Sequence, residues 1–141
     1  MAVHVLIEFL KHADAEADAH VQAILALPHP TLEEVTPHVR GYILAKFLLR
    51  EEDAAGAEEL RDLASASISR ALDLAEGDLA VTDLSDRCAA APSVETKLVL
   101  LMMRLEKALH VKLDVMERVN AHTVEELSRA LCAHLNQDHL N

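Results

Sequence analysis

The sequence is poor in the residues that make tight turns, cross-links and aromatic cores. It contains three Gly, four Pro, two Cys and no Trp, and its Phe and Tyr residues are only Phe9, Tyr42 and Phe47. Strands favour aromatic and β-branched residues and need turn chemistry between them, so a β-sandwich or barrel is excluded. Cys88 and Cys132 are too few and too far apart for a disulfide framework or a structural zinc site. The longest apolar run is Leu98–Met103, against the roughly 20 residues that a membrane-spanning helix requires. The opening stretch Met1–Ile7 is apolar but has no basic flank and is interrupted by Glu8 and Lys11. A secretory signal is therefore not expected, and a reducing, cytoplasmic location is. No glycine-rich phosphate loop, His-Glu-x-x-His pair or nucleophile elbow occurs, so no catalytic residues and no enzyme activity are expected. Cys88 or Cys132 is expected to act as a small buried apolar residue.

What is abundant is Leu and Ala, 24 and 23 of 141 residues, in a chain that is 51% apolar. Both are strong helix formers, and the length suits one domain or two small ones sharing an interface. The expected fold is an all-α bundle of six or seven helices. The formal net charge of −11, from 13 basic and 24 acidic residues, argues against nucleic acid and anionic membrane as partners. It is unevenly spread: residues 1–55 carry 4 basic and 9 acidic groups, 56–92 carry 3 and 8, and 93–141 carry 6 and 7.

Caps and breakers divide the chain. Leu6, Leu10, Ala13, Ala17, Val21 and Ile24 recur at three- and four-residue spacing and predict one helix from Val3 to Leu27 with a single buried stripe. Pro28-His29-Pro30 ends it. Thr31 with Glu34 reads as a capping box over a short turn, and Thr36-Pro37 reads as a fresh start with Pro at the first helical position. Val39–Leu49 is apolar on nearly every side and belongs in the centre of a bundle. Glu51–Gly56 reads as a polar break. Glu58–Glu76 is a further helix, with Gly77 as its cap. Asp78–Pro92 is irregular, with Thr82 placed to cap a short helix reaching Cys88. Ser93 is placed to cap a helix to Leu109. Capping boxes at Asp114/Glu117 and Thr123/Glu126 predict helices to Val119 and Leu135. The organisation is an N-terminal helical part, 1–56, and a second part, 57–141, unless the two form one compact domain.

Three consecutive pieces of the second part carry a family resemblance. They are Leu101-Met-Met-Arg-Leu105-Glu106-Lys-Ala-Leu109, then Val111-Lys112-Leu113-Asp114, then Thr123-Val124-Glu125-Glu126-Leu127. Their order and spacing resemble the second helix, linker and final helix of acyl and peptidyl carrier proteins. Residues 94–135 carry the match, and Ile68–Leu74 extends it back to about residue 62. The resemblance implies a carrier-protein-like fold and docking to partner proteins. It does not extend to the cofactor, because counting back from Leu105 puts the family's phosphopantetheine-bearing Ser at Glu95. A carboxylate cannot form that phosphodiester. Ser93 lies two residues off register and is explained as a cap. The family's second helix is also acidic outside, whereas here it carries Lys97, Arg104 and Lys107.

On that helix Val94, Leu98, Leu101, Leu105 and Leu109 share one face, while Val99, Leu100 and Met103 point elsewhere, between Thr96 and Lys107. Two apolar faces must both be covered or one becomes a patch. The plainer expectation is cover from residues 1–56; the functional one is a partner-binding patch of Val99, Leu100, Met103 and Lys107. Histidines offer a second candidate, since His12, Glu16 and His20 are one turn apart on the first helix and carry donors suited to zinc. Their place opposite the apolar stripe favours a solvated face, so neither metal nor cofactor is expected. The expected function is a non-catalytic protein-interaction or accessory module on a carrier-like fold without the phosphopantetheine site. The alternatives are a working carrier modified at Ser93, a metal-binding bundle, and a self-associating subunit.

Overall fold

The computed structural model describes residues 2–76 and 93–140, with side chains from 7–70 and 93–137. Among the described residues the chain is all helical, in seven helices: α1 (Ala2–Leu25), α2 (Leu32–Lys46), α3 (Glu51–Ala54), α4 (Leu60–Glu76), α5 (Val94–Leu109), α6 (Val115–Asn120) and α7 (Val124–Leu140). The expected short helix at 82–88 and the Gly77 cap lie outside the described residues.

The helices begin where side chains accept the free amide hydrogens of the first turn. Thr31 Oγ1 accepts from Glu34 N at 3.3 Å, and Ser93 Oγ accepts from Thr96 N at 3.4 Å. Asp114 and Glu117 accept from each other's backbone N–H at 2.8 and 3.0 Å, and Thr123 and Glu126 do so at 3.1 Å each way. Two expectations fail here. Pro37 does not restart a helix but sits inside α2, which runs unbroken from the Thr31 cap. The cap starts the helix early enough that Pro37 costs only the bond to Glu33. Glu51–Gly56 is not a break throughout, because α3 forms with Asp53 Oδ2 accepting from Arg50 N at 2.9 Å. The chain turns only after it, through Ala55 and Gly56 at φ 51° and 75°. That backbone region suits glycine at the second position.

α1 and α2 pack as an antiparallel hairpin, tied by Lys46 Nζ on Asp14 at 3.1 Å near one end and by His20 against His38 nearer the other. α7 lies against α2, and its Cys132 Sγ and Asn136 Nδ2 both donate to Pro30 O, at 3.2 and 2.9 Å. Cys132 is buried, as expected, and burial pushes its thiol up from the ordinary range. The starts of α4 and α7 meet in one bridge, with Leu60 N donating to His122 O and Val124 N to Glu58 O at 2.8 and 2.9 Å. Arg40 of α2 spans the turn, donating to Glu51 and to Ala57 O.

Buried apolar residues of 7–56 and of 57–70 and 93–137 belong to one cluster, from Ile24, Val39 and Ile43 to Leu63, Leu105 and Leu131. The stripe of α1 enters this core only from Ala17 onward, Ala13 being buried outside it. Leu10, expected inside, is 36% exposed, and Phe9 beside it is exposed too. α1 has 24 residues against 15 in α2, so at 1.5 Å per residue it is longer by about 14 Å and outruns its neighbour. No helix of the described residues is long and apolar enough to cross a membrane.

Candidate interaction face on α5 and α6

α5 owes its position to its inner stripe. Leu101, Leu105 and Leu109 are buried in the core, and Val94 and Leu98 are partly so. Burying each Leu fully is worth roughly 1.5–3 kcal/mol, which fixes the rotation of the helix about its axis. The stripe alone leaves Met102 and Glu106 on one flank; the second flank is the outer side, which runs from Val99, next to Glu106, through Met103 to Leu100.

The first flank is closed by a charged clamp. Glu106 is 4% exposed. Its Oε1 accepts from Leu113 N at 2.8 Å, and Arg118 grips both oxygens, Nη2 to Oε1 at 2.8 Å and Nε to Oε2 at 2.9 Å. A buried carboxylate is tolerable only with its acceptor sites filled, and here a backbone N–H and a two-pronged guanidinium fill them. The clamp holds the linker and α6 against the end of α5. On the far side of α6, Glu117 holds His134 of α7 at 2.9 Å. The Asp114 backbone N–H first, and then His134, keep the Glu117 carboxyl below its ordinary range.

The second flank is not closed. Residues 1–56 do not cover it, contrary to the plainer expectation. Val99, Leu100 and Met103 are 46%, 40% and 51% exposed. The reason lies in where α1 and α2 touch α5. Phe47 at the end of α2 meets the Lys97 ammonium, 5.1 Å from its ring centroid, and Arg104 lines a cleft with Lys46 and Phe47. The described α2 contacts fall at the Lys97–Arg104 edge, where Lys46 and Phe47 share that cleft with Leu100, and Met103 beyond them stays half exposed. Lys107 is exposed one turn beyond.

α6 carries three exposed apolar residues that the sequence did not single out, of which Val119 adjoins the α5 face. Val115, Met116 and Val119 are each at least 60% exposed. The signal was present, since three of six residues in a capped one-turn helix are apolar, but its shortness hid which side would face the core. Val99 and Val119 line a common apolar cleft of about 270 Å³, floored by Leu60, Leu98 and Met102. At its rim Arg61 Nη1 pairs with Glu95 Oε1 at 2.8 Å. Its own backbone N–H first, and then Arg61, hold the Glu95 carboxyl below the usual range.

The remaining candidates are separated. Ser93 Oγ is spent on the α5 cap and stands 3.3 Å from Thr96 Oγ1. His12 pairs with Glu16 at 2.8 Å in solvent. His20 instead turns against α2, its Nδ1 3.1 Å from His38 Nδ1, over Gly41, where a Cβ would run into the His20 ring. Burial, then His38, makes His20 harder to protonate, and Glu16 opposes this only in part. Among the described residues no three His, Cys, Asp or Glu side chains stand close enough to share a metal ion. Cys88 lies outside the described residues. No family model matches this chain, and neither does any curated protein or solved structure.

Proposed function

We propose that the chain is a non-catalytic protein-interaction or accessory module, carrier-like over α4–α7 and without a phosphopantetheine arm. The observation that carries this reading is the uncovered apolar face of α5 and α6, beside Glu95. Clustered exposed apolar residues with polar neighbours mark contact surfaces more often than single ones do. Met103 within the face suits a surface that adapts to its partner. Support for the lost arm comes from position 95. The residue that the resemblance aligns with the attachment serine is a glutamate, and Arg61 holds it in an ion pair. Ser93 is the nearest serine in the sequence, and it caps the helix.

The test is intact-mass measurement after incubation with a promiscuous phosphopantetheinyl transferase and coenzyme A. The mass is expected to stay unchanged. A phosphopantetheine adduct on Ser93 overturns the proposal and restores carrier activity.

A further inference from the structure

We infer that the outer face of α5 docks an amphipathic helix of a partner protein whose apolar stripe is flanked by carboxylates. This rests on reading α5 and α6 as an interaction face, and it adds the chemistry of the occupant. At 100° per residue, Val99, Met103, Lys107, Leu100, Arg104 and Lys97 follow one another across roughly 160° of the helix. The arc carries three apolar residues and the cations Arg104 and Lys107, with Thr96 among them and no carboxylate; Lys97 at its edge is already engaged, with Phe47. The acids of α5 lie off it and are already engaged: Glu95 with Arg61, and Glu106 in the buried clamp with Arg118. Among the described residues no carboxylate comes within ion-pair distance of Arg104 or Lys107. A chain of net charge −11 thus presents one apolar face whose own charge is positive.

That combination selects its occupant. An apolar stripe meets Val99, Leu100 and Met103, while carboxylates beside it meet Arg104 and Lys107. A basic flank would instead bring like charges together at the rim of a desolvated contact, which is how such faces reject wrong partners. α5 has 16 residues, about 24 Å, so a helix of about five turns matches its length. Binding of this kind reads out apolar anchors at i, i+3, i+4 and i+7.

The probe is a fluorescent peptide of about 18 residues with a Leu stripe at that spacing and Glu on both flanks, beside a twin carrying Lys at every Glu. Anisotropy titrations use the full chain. The Glu peptide is expected to bind at least about fivefold tighter than its twin and to weaken severalfold as salt rises, as contacts between exposed charges do. Arg104→Glu with Lys107→Glu should reverse the preference, and Met103→Glu should abolish binding of both peptides. These are exposed positions, and circular dichroism with a thermal melt checks that each variant stays folded. Tighter binding of the Lys twin overturns the acidic partner and leaves the docking face standing. Absence of binding by both peptides overturns the docking face as well. A dimer in light scattering that Met103→Glu dissociates assigns the face to a second copy and overturns the inference.

Discussion

Glu106 shows how one residue decides which flank of α5 is closed. Its carboxylate accepts from Leu113 N and from Arg118 at once. Glu106→Ala leaves the Leu113 N–H buried without a partner, which costs about 1–3 kcal/mol. Glu106→Gln keeps an acceptor for that N–H and should lose clearly less. Urea unfolding of the two variants checks the order, and equal losses would show that the backbone bond contributes little. His20 sets a pH dependence. Its folded form resists protonation because of burial and His38, so the unfolded chain binds this proton more readily. The stability it contributes is complete above the ordinary histidine range, about 6.5, and is lost as pH falls below it. Thermal melts between pH 7.5 and 5 should show a decline that His20→Gln flattens. An unchanged slope would assign the decline to other groups.

At the scale of elements, Pro37 is the residue out of place. It is exposed in α2 and removes one helical bond, while Thr36 Oγ1 donates to Leu32 O at 2.7 Å one turn back. Proline inside a helix costs about 3 kcal/mol relative to Ala, of which the stiffer unfolded chain returns up to about 1. Pro37→Ala should therefore raise stability by about 2–3 kcal/mol in denaturant titration, and a loss would mean that the Pro ring packs. The same element shows what a sequence conveys. The caps at Thr31, Ser93, Asp114 and Thr123 were legible, because each is a local bond between residues three apart. Pro37 misled, because its fixed φ serves a helix start and a helix interior alike, and only the upstream Thr31 cap decides between them. The exposure of Val99, Leu100 and Met103 was half legible. Periodicity showed a second apolar face, but whether α1 and α2 reach it depends on their tertiary placement. The His20–His38 contact was not legible at all, since it joins residues from two helices.

For the whole molecule, burial and charge divide along one line. Residues 7–56 share a core with residues 57–70 and 93–137, and α7 is fastened to Pro30 between α1 and α2 by Cys132 and Asn136. The strongly acidic segments lie in the first 92 residues, whereas the apolar face of α5 carries cations. The chain thus hides one side of α5 as a core helix and leaves the other side open. Two adjacent methionines report that division directly. Met102 is 4% exposed, Met103 is 51% and Met116 is 63%. Oxidation by dilute peroxide follows solvent access to the thioether. Peptide mass mapping of the native chain should find Met103 oxidised nearly as fast as Met116 and much faster than Met102. Met103 protected as well as Met102 would mean that the face is covered in the free protein, and would contradict its role as a docking surface.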